Sequence, residues 1–240
     1  MENTRKRARN PKGFTLVELL IAVAISGIAM TAIYSTYRSQ QKTYIIETQV
    51  AAMQQNLRAA MFYIERELRM AGCDPTGNAG AGIVTAGDST IRFTMDITGG
   101  ENDGKDNDND GTTDESGEDV FADGDTLDTN EDITYALADN DGDGDMDLER
   151  NNNLIAENID VLNLVYLDAN STVLDMSVDS PSDIRSIQVT VVARTGQGDV
   201  DYSNSTSYTN RQGTEILAPQ NDKNRRTVLT TTIKCRNLGL

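Results

Sequence analysis

A chain of 240 residues with only four prolines has room for one anchor and one globular domain rather than two large ones. It holds no His and no Trp, which removes the commonest general base and transition-metal ligand and, with them, His-based triads, H-E-x-x-H zinc sites and His proton shuttles; no enzymatic role is expected. The formal charge of −17 is concentrated between Glu101 and Glu149, where 20 Asp and Glu face the single base Lys105, so that stretch carries −19 and the remainder +2; without a basic footprint, nucleic acid is not an expected partner.

Residues 1–13 read MENTRKRARNPKG, with Arg5, Lys6, Arg7, Arg9 and Lys12 set against Glu2. The positive-inside rule keeps this segment cytoplasmic and sends whatever follows a span to the other side. From Phe14 to Tyr37 the chain is uncharged except for Glu18. A helix from Phe14 to Tyr34 is about 30 Å long, enough to cross the hydrocarbon core of a bilayer. An acid inside such a span marks function by default. Three readings compete for this terminus: an ordinary secretory signal, an uncleaved anchor, and a leader cut before Phe14. The apolar stretch is longer than an ordinary signal core, and the early carboxylate fits one poorly.

Over 38–72 the pattern turns amphipathic, with Ile46, Val50, Met53, Leu57, Met61, Ile64 and Leu68 recurring every three or four residues. Gly72 is expected to end the helix. Segments 14–37 and 38–72 then form one helix of about 85 Å, apolar all round in its first half and striped in its second. An anchor followed by a coiled-coil stalk is the alternative, against which the stripe lasts only about three heptads.

Beyond Asp74 the helical period gives way to short β-rich runs separated by Gly-rich loops: Ile91–Ile97, Asp132–Leu137, Val161–Leu167, Ile184–Arg194 and Thr227–Cys235. The expected fold is α+β: a long N-terminal helix packed on a mostly antiparallel β-sheet domain over 73–240, with acidic loops at 101–119 and 139–149. Leu154–Ile159 suits either a strand or a short helical turn.

Both acidic loops reproduce nine positions of a calcium loop, D-x-D-x-D-G-x-x-D, in which alternate side chains converge and the glycine permits a sharp turn. In the first, Asp106, Asp108 and Asp110 precede Gly111, with Asp114 following. In the second, Asp139, Asp141 and Asp143 precede Gly144, with Asp145 and Asp147 following. The twelfth position, where an EF-hand places a bidentate Glu, is Gly117 in one and Arg150 in the other, with Glu118 and Glu149 one residue away. Two loop-type Ca2+ sites are expected; acidic insertions that only solubilise the domain are the alternative. Cys73 and Cys235 are the only thiols, and in an oxidising compartment they are expected to form one disulfide between the helix end and the last strand.

The run GFTLVELLIAVAIS resembles the cleavage and methylation signature of type IV prepilins and pseudopilins. The resemblance makes Gly13 the last leader residue, Phe14 the N-methylated first mature residue and Glu18 the glutamate that serves assembly. IRSIQVTVVART and RRTVLTTTIKCRNLGL, with the Arg236-Asn237 pair, are similar to the C-terminal pattern of PilW-type minor pilins. The resemblance implies a minor pilin processed by prepilin peptidase, held single-pass in the inner membrane with a periplasmic C-terminal domain, then assembled with other minor and major pilins in a priming or tip complex. A type II secretion pseudopilin and a calcium-dependent adhesin displayed on the pilus are the alternatives.

Overall fold

A computed structural model describes residues 13–140, 142–175 and 179–239, so the basic leader before Gly13 and the calcium-loop residue Asp141 fall outside the described residues. One uninterrupted helix, α1, runs Leu16–Leu68 and belongs to two compact units, residues 1–48 and 49–240. No proline interrupts it.

In the first unit the helix is long and apolar enough to cross a membrane, and its side chains from 13 to 45 are exposed. Three of its hydroxyls are satisfied internally: Ser26, Thr31 and Thr36 each donate to the carbonyl four residues earlier, on Ala22, Gly27 and Ala32, at 2.7, 2.9 and 3.1 Å. That back-bonding lets polar side chains sit in hydrocarbon without an orphaned donor.

In the second unit the expected stripe is the buried one. Met53, Leu57, Met61, Ile64 and Leu68 enter the core together with Ala60, and Val50 packs at its margin. Each fully buried aliphatic side chain contributes about 1.5–3 kcal/mol. The helix yields to a turn after Leu68, and Gly72, at φ +74°, redirects the chain and donates its N–H to the Thr94 carbonyl at 2.9 Å. A side chain there would meet both the left-handed backbone and Leu238, whose Cδ2 lies 2.5 Å from the site of a Cβ, so glycine is required twice over.

Among the described residues ten strands follow, where the sequence suggests five, and every pairing is antiparallel. Strands β1 (Ile83–Ala86), β2 (Ile91–Thr94), β3 (Asp132–Ala138), β4 (Asp147–Arg150) and β5 (Asn153–Ala156) form a meander in that order. Strands β6 (Ile159–Leu167), β7 (Ser186–Arg194) and β10 (Arg226–Lys234) form a second sheet with β7 central, and β8 (Tyr208–Thr209) with β9 (Glu215–Leu217) makes a small ribbon. Central β7 buries both faces: Ile187, Val189, Val191 and Ala193 on one, Thr190 and Val192 on the other. Leu154–Ile159 resolves as the end of β5, a turn at Asn158 with φ +61°, and the start of β6.

The structure does not show the expected disulfide. Cys73 and Cys235 are free thiols, one half-buried and the other buried. Burial pushes the Cys235 thiol up to about 12, and burial followed by the charges of Asp96 and Asp74 also raises Cys73, so both are poor thiolates. The helix end is tied to the chain's last segment by other means: Asn237 Nδ2 donates to the Met70 carbonyl at 3.2 Å, and Leu238 packs over Gly72.

One polar group crosses the apolar stripe. Glu67, 8% exposed, sits among the buried residues of α1 and receives Arg150 Nε from β4 at 2.9 and 3.1 Å and the Tyr135 hydroxyl from β3 at 2.6 Å. Burial, and then the bond to the Glu67 carboxylate, holds the Tyr135 phenol well above its ordinary value, so it stays a donor.

Candidate functional site

Two places concentrate chemistry: the start of α1 and the 95–131 connection between β2 and β3. At the first, Gly13–Thr15 is non-helical and exposed, with Phe14 91% accessible. Nothing lies within 4 Å of where a Gly13 Cβ would stand, so the fold itself makes no demand for glycine there.

Glu18 does more than the sequence reading assigns to it. Its backbone N–H donates to Thr15 Oγ1 at 3.2 Å, while its Oε2 accepts the Thr15 N–H at 2.8 Å and the Thr15 hydroxyl at 2.9 Å. This reciprocal pair is a capping box: Thr15 is the N-cap, Glu18 the third helical residue, and two otherwise orphaned donors are satisfied before the chain meets lipid. A carboxylate there also favours the positive end of the helix dipole. The spacing T-x-x-E was visible in the sequence, but the leader signature overlies it. Among the described residues the hydrogen bonds fall on Oε2 and none on Oε1.

The 95–131 connection folds on itself. Gly99 and Ala122 form an isolated antiparallel bridge, and short 3-10 turns at Gly100–Asn102 and Glu118–Val120 flank it. Three acid groups converge there: Asp106 with Asp108 and Glu118, Asp108 with Asp110 and Glu115, and Asp123 with Asp125 and Asp128, the carboxylate oxygens of each group lying within 4.8 Å of one another. Burial, and then the charges of Asp110 and Glu118, raises the Glu115 carboxyl above its ordinary value; burial, and then Asp123, raises Asp128. Asp114, the fourth acid of the expected loop, instead accepts the Gly104 N–H at 2.8 Å. Glu115, Glu118 and the 123–128 group are the acids that the nine-position pattern does not specify.

The second loop is organised differently. Asp145, 7% exposed, is paired with Arg194 at 2.6 Å, and Asp147, 3% exposed, accepts the Asn158 N–H at 2.8 Å. Asp139 accepts the Gly142 N–H and Asp143 the Asp145 N–H, at 2.9 and 3.1 Å. Among the described residues no three acids of this loop converge.

Comparison with known proteins bears on both ends of the chain. The family model described as the prokaryotic N-terminal methylation motif matches residues 8–34, and that of Type IV Pilus-assembly protein W matches residues 132–237. No curated protein matches. Among solved structures, a type IV-like pilin from Thermus thermophilus is similar at a TM-score of 0.46 and 13% identity, over 78% of this chain and 98% of that one. The methylation motif on an exposed, capped, membrane-capable helix whose second half packs on antiparallel sheets defines a type IV pilin-type subunit, processed by prepilin peptidase and assembled with other pilins. The C-terminal match, which takes in β3 through β10, narrows the class: together the two matches support a type IV minor pilin of the PilW type that takes part in pilus assembly.

Proposed function

We propose that this minor pilin is a purely structural subunit of the priming or tip complex of a type IV pilus. Before assembly it stands single-pass in the inner membrane with residues 49–240 on the periplasmic side, and after cleavage at Gly13 it leaves the membrane for the filament. The observation that carries this reading is the helix start: Glu18 caps its own helix through Oε2 and keeps Oε1 for an outside donor. In the filament core that donor is the methylated Phe14 amine of a neighbouring subunit, which a carboxylate draws into register through a charge-assisted bond. The amphipathic half of α1 then carries the sheet domain, and the subunit acts by packing rather than by a reaction of its own.

The test is location and phenotype together. Deleting the gene is expected to lower the number of surface pili while leaving protein secretion unchanged, and immunogold labelling of residues 49–240 is expected at one end of sheared filaments. Label spread along the filament contradicts the tip assignment, and loss of secretion with normal piliation contradicts the pilus assignment.

A further inference from the structure

We infer that Asp106, Asp108 and Glu118 form a calcium site in which Glu118, one residue beyond the twelfth loop position, supplies the deep ligand. This inference is independent of where the subunit sits in a pilus. It rests first on an unpaired anion in a dry place. Glu118 is 0% exposed; its Oε1 takes the Asn107 N–H, while its Oε2 is buried and has no hydrogen-bond partner among the described residues. A carboxylate oxygen in that condition is costly unless a cation or a proton answers it. The two nearest acids of its group, Asp106 and Asp108, add repulsion. The segment's one base does not relieve it, because Lys105 Nζ is engaged by Asp103 at 2.7 Å.

The donor set identifies the kind of cation. Calcium takes about six to eight oxygen ligands in a flexible geometry, whereas magnesium demands a near-regular octahedron and gives up its waters reluctantly. Carboxylates held on an irregular loop suit calcium, and a ligand set made of oxygen alone is unsuited to zinc. The loop also holds its ligands in place: Asp106 accepts the Asp110 and Gly111 N–H groups at 3.0 and 2.9 Å, and Asp108 accepts the Asp110 N–H at 3.0 Å.

The shift of the glutamate by one residue has a local cause. Gly117, at φ +150°, turns the chain into the 3-10 turn that begins at Glu118, and Phe121 closes that turn by donating to the Glu118 carbonyl at 2.9 Å. The turn lies tight against Gly100, where a Cβ would stand 2.6 Å from the Glu118 carbonyl oxygen and 2.5 Å from Asn107 Nδ2. This packing carries the Glu118 side chain under the loop, whereas position 117 has no side chain to offer.

The experiment is calorimetric titration of the full chain in detergent with calcium chloride, and separately with magnesium chloride, at constant ionic strength, joined to hydrogen exchange over 100–122. Calcium is expected to bind with a dissociation constant of about 10⁻⁴–10⁻³ M, the range of extracellular loop sites, and to protect the amides of 104–121. Glu118→Gln, which keeps the shape and removes the charge, is expected to weaken that binding about tenfold or more, or to lower the stoichiometry by one. Asp119→Asn, which removes the same charge from an exposed neighbour, is expected to bind as the unaltered chain does. Three results overturn the site: no calcium-dependent protection in the unaltered chain at 10-fold above that range, equal binding by Glu118→Gln, or equal weakening by Asp119→Asn, which would mean diffuse acidity. Because the first readout uses the unaltered chain, a variant that fails to fold does not shield the inference.

Discussion

Glu18→Gln is expected to leave the subunit cleaved at Gly13, membrane-inserted and helical from Leu16, and to reduce its incorporation into pili by about tenfold or more. A glutamine at the third helical position still accepts the Thr15 N–H, so the capping box survives. The scissile bond is untouched. What is lost is one negative charge in a setting where hydrogen bonds to charged groups contribute about 1.5–3 kcal/mol, and each 1.4 kcal/mol is a factor of ten. Thr15→Ala separates the two roles of the residue, because it removes the hydroxyl that bonds Glu18 and leaves the charge. It is expected to cost about 1 kcal/mol of helix start and little incorporation. Immunoblots of sheared filaments against membrane fractions measure both. Glu18→Gln recovered in filaments at the unaltered level would remove the carboxylate from assembly and leave it only a cap.

The largest stability loss is expected at Arg150. Its guanidinium and the Tyr135 hydroxyl hold the Glu67 carboxylate inside the apolar stripe. Arg66 also approaches Glu67 at 3.3 Å, but its side chain is 58% exposed and such a pair contributes little. Arg150→Ala leaves a buried acid facing a cavity, at a cost of about 3–5 kcal/mol, a large share of the 5–15 kcal/mol that ordinarily separates folded from unfolded chains. For a unit of this size each kcal/mol lowers the melting temperature by about 2–4 °C. The double variant Glu67→Gln/Arg150→Met removes both charges, keeps an acceptor for Tyr135 and is expected to recover most of the loss. Differential scanning calorimetry of the unaltered chain and the two variants in one detergent reads the loss and its recovery. A loss below about 1 kcal/mol for Arg150→Ala would show that Glu67 is not held by this pair.

The same residues explain what was legible in the sequence. The helix was readable because its apolar positions recur at the helical period and Gly72 stands where a positive φ is needed. Strands β2, β3, β6, β7 and β10, rich in Val, Ile and Thr, were readable too, whereas the short β1, β8 and β9 were not. Strand β4 was not, since Asp-Leu-Glu-Arg looks like loop until Asp147, Glu149 and Arg150 are seen to be answered by Asn158, Asn140 and Glu67. Glu67 itself was hidden by its setting: an acid among apolar helix positions reads as the polar face unless its partner, 83 residues away in sequence, is known. The calcium-loop pattern located the acidic clusters in the first loop but not their membership. Asp145 is taken by Arg194, a partner that only the β6–β7 pairing places nearby, and Glu118 enters from outside the expected register because a glycine and a 3-10 turn carry it there. The cysteine pair shows the limit of composition: two thiols admit one bridge, but a helix end fixed by Asn237 and Leu238 does not depend on it.

The central claim is that this chain is cut before Phe14, methylated there and built into a pilus, and the intact mass of the protein recovered from sheared filaments tests it most directly. Removing residues 1–13 takes away a net charge of +4 and leaves −21, so the mature subunit is also separable by charge from its precursor. The predicted result is a mass equal to residues 14–240 plus one methyl group, with the methyl on the Phe14 amine in the N-terminal fragment. A filament-associated chain that still carries Met1–Gly13, or a mature chain found in the membrane and never in filaments, would contradict the account.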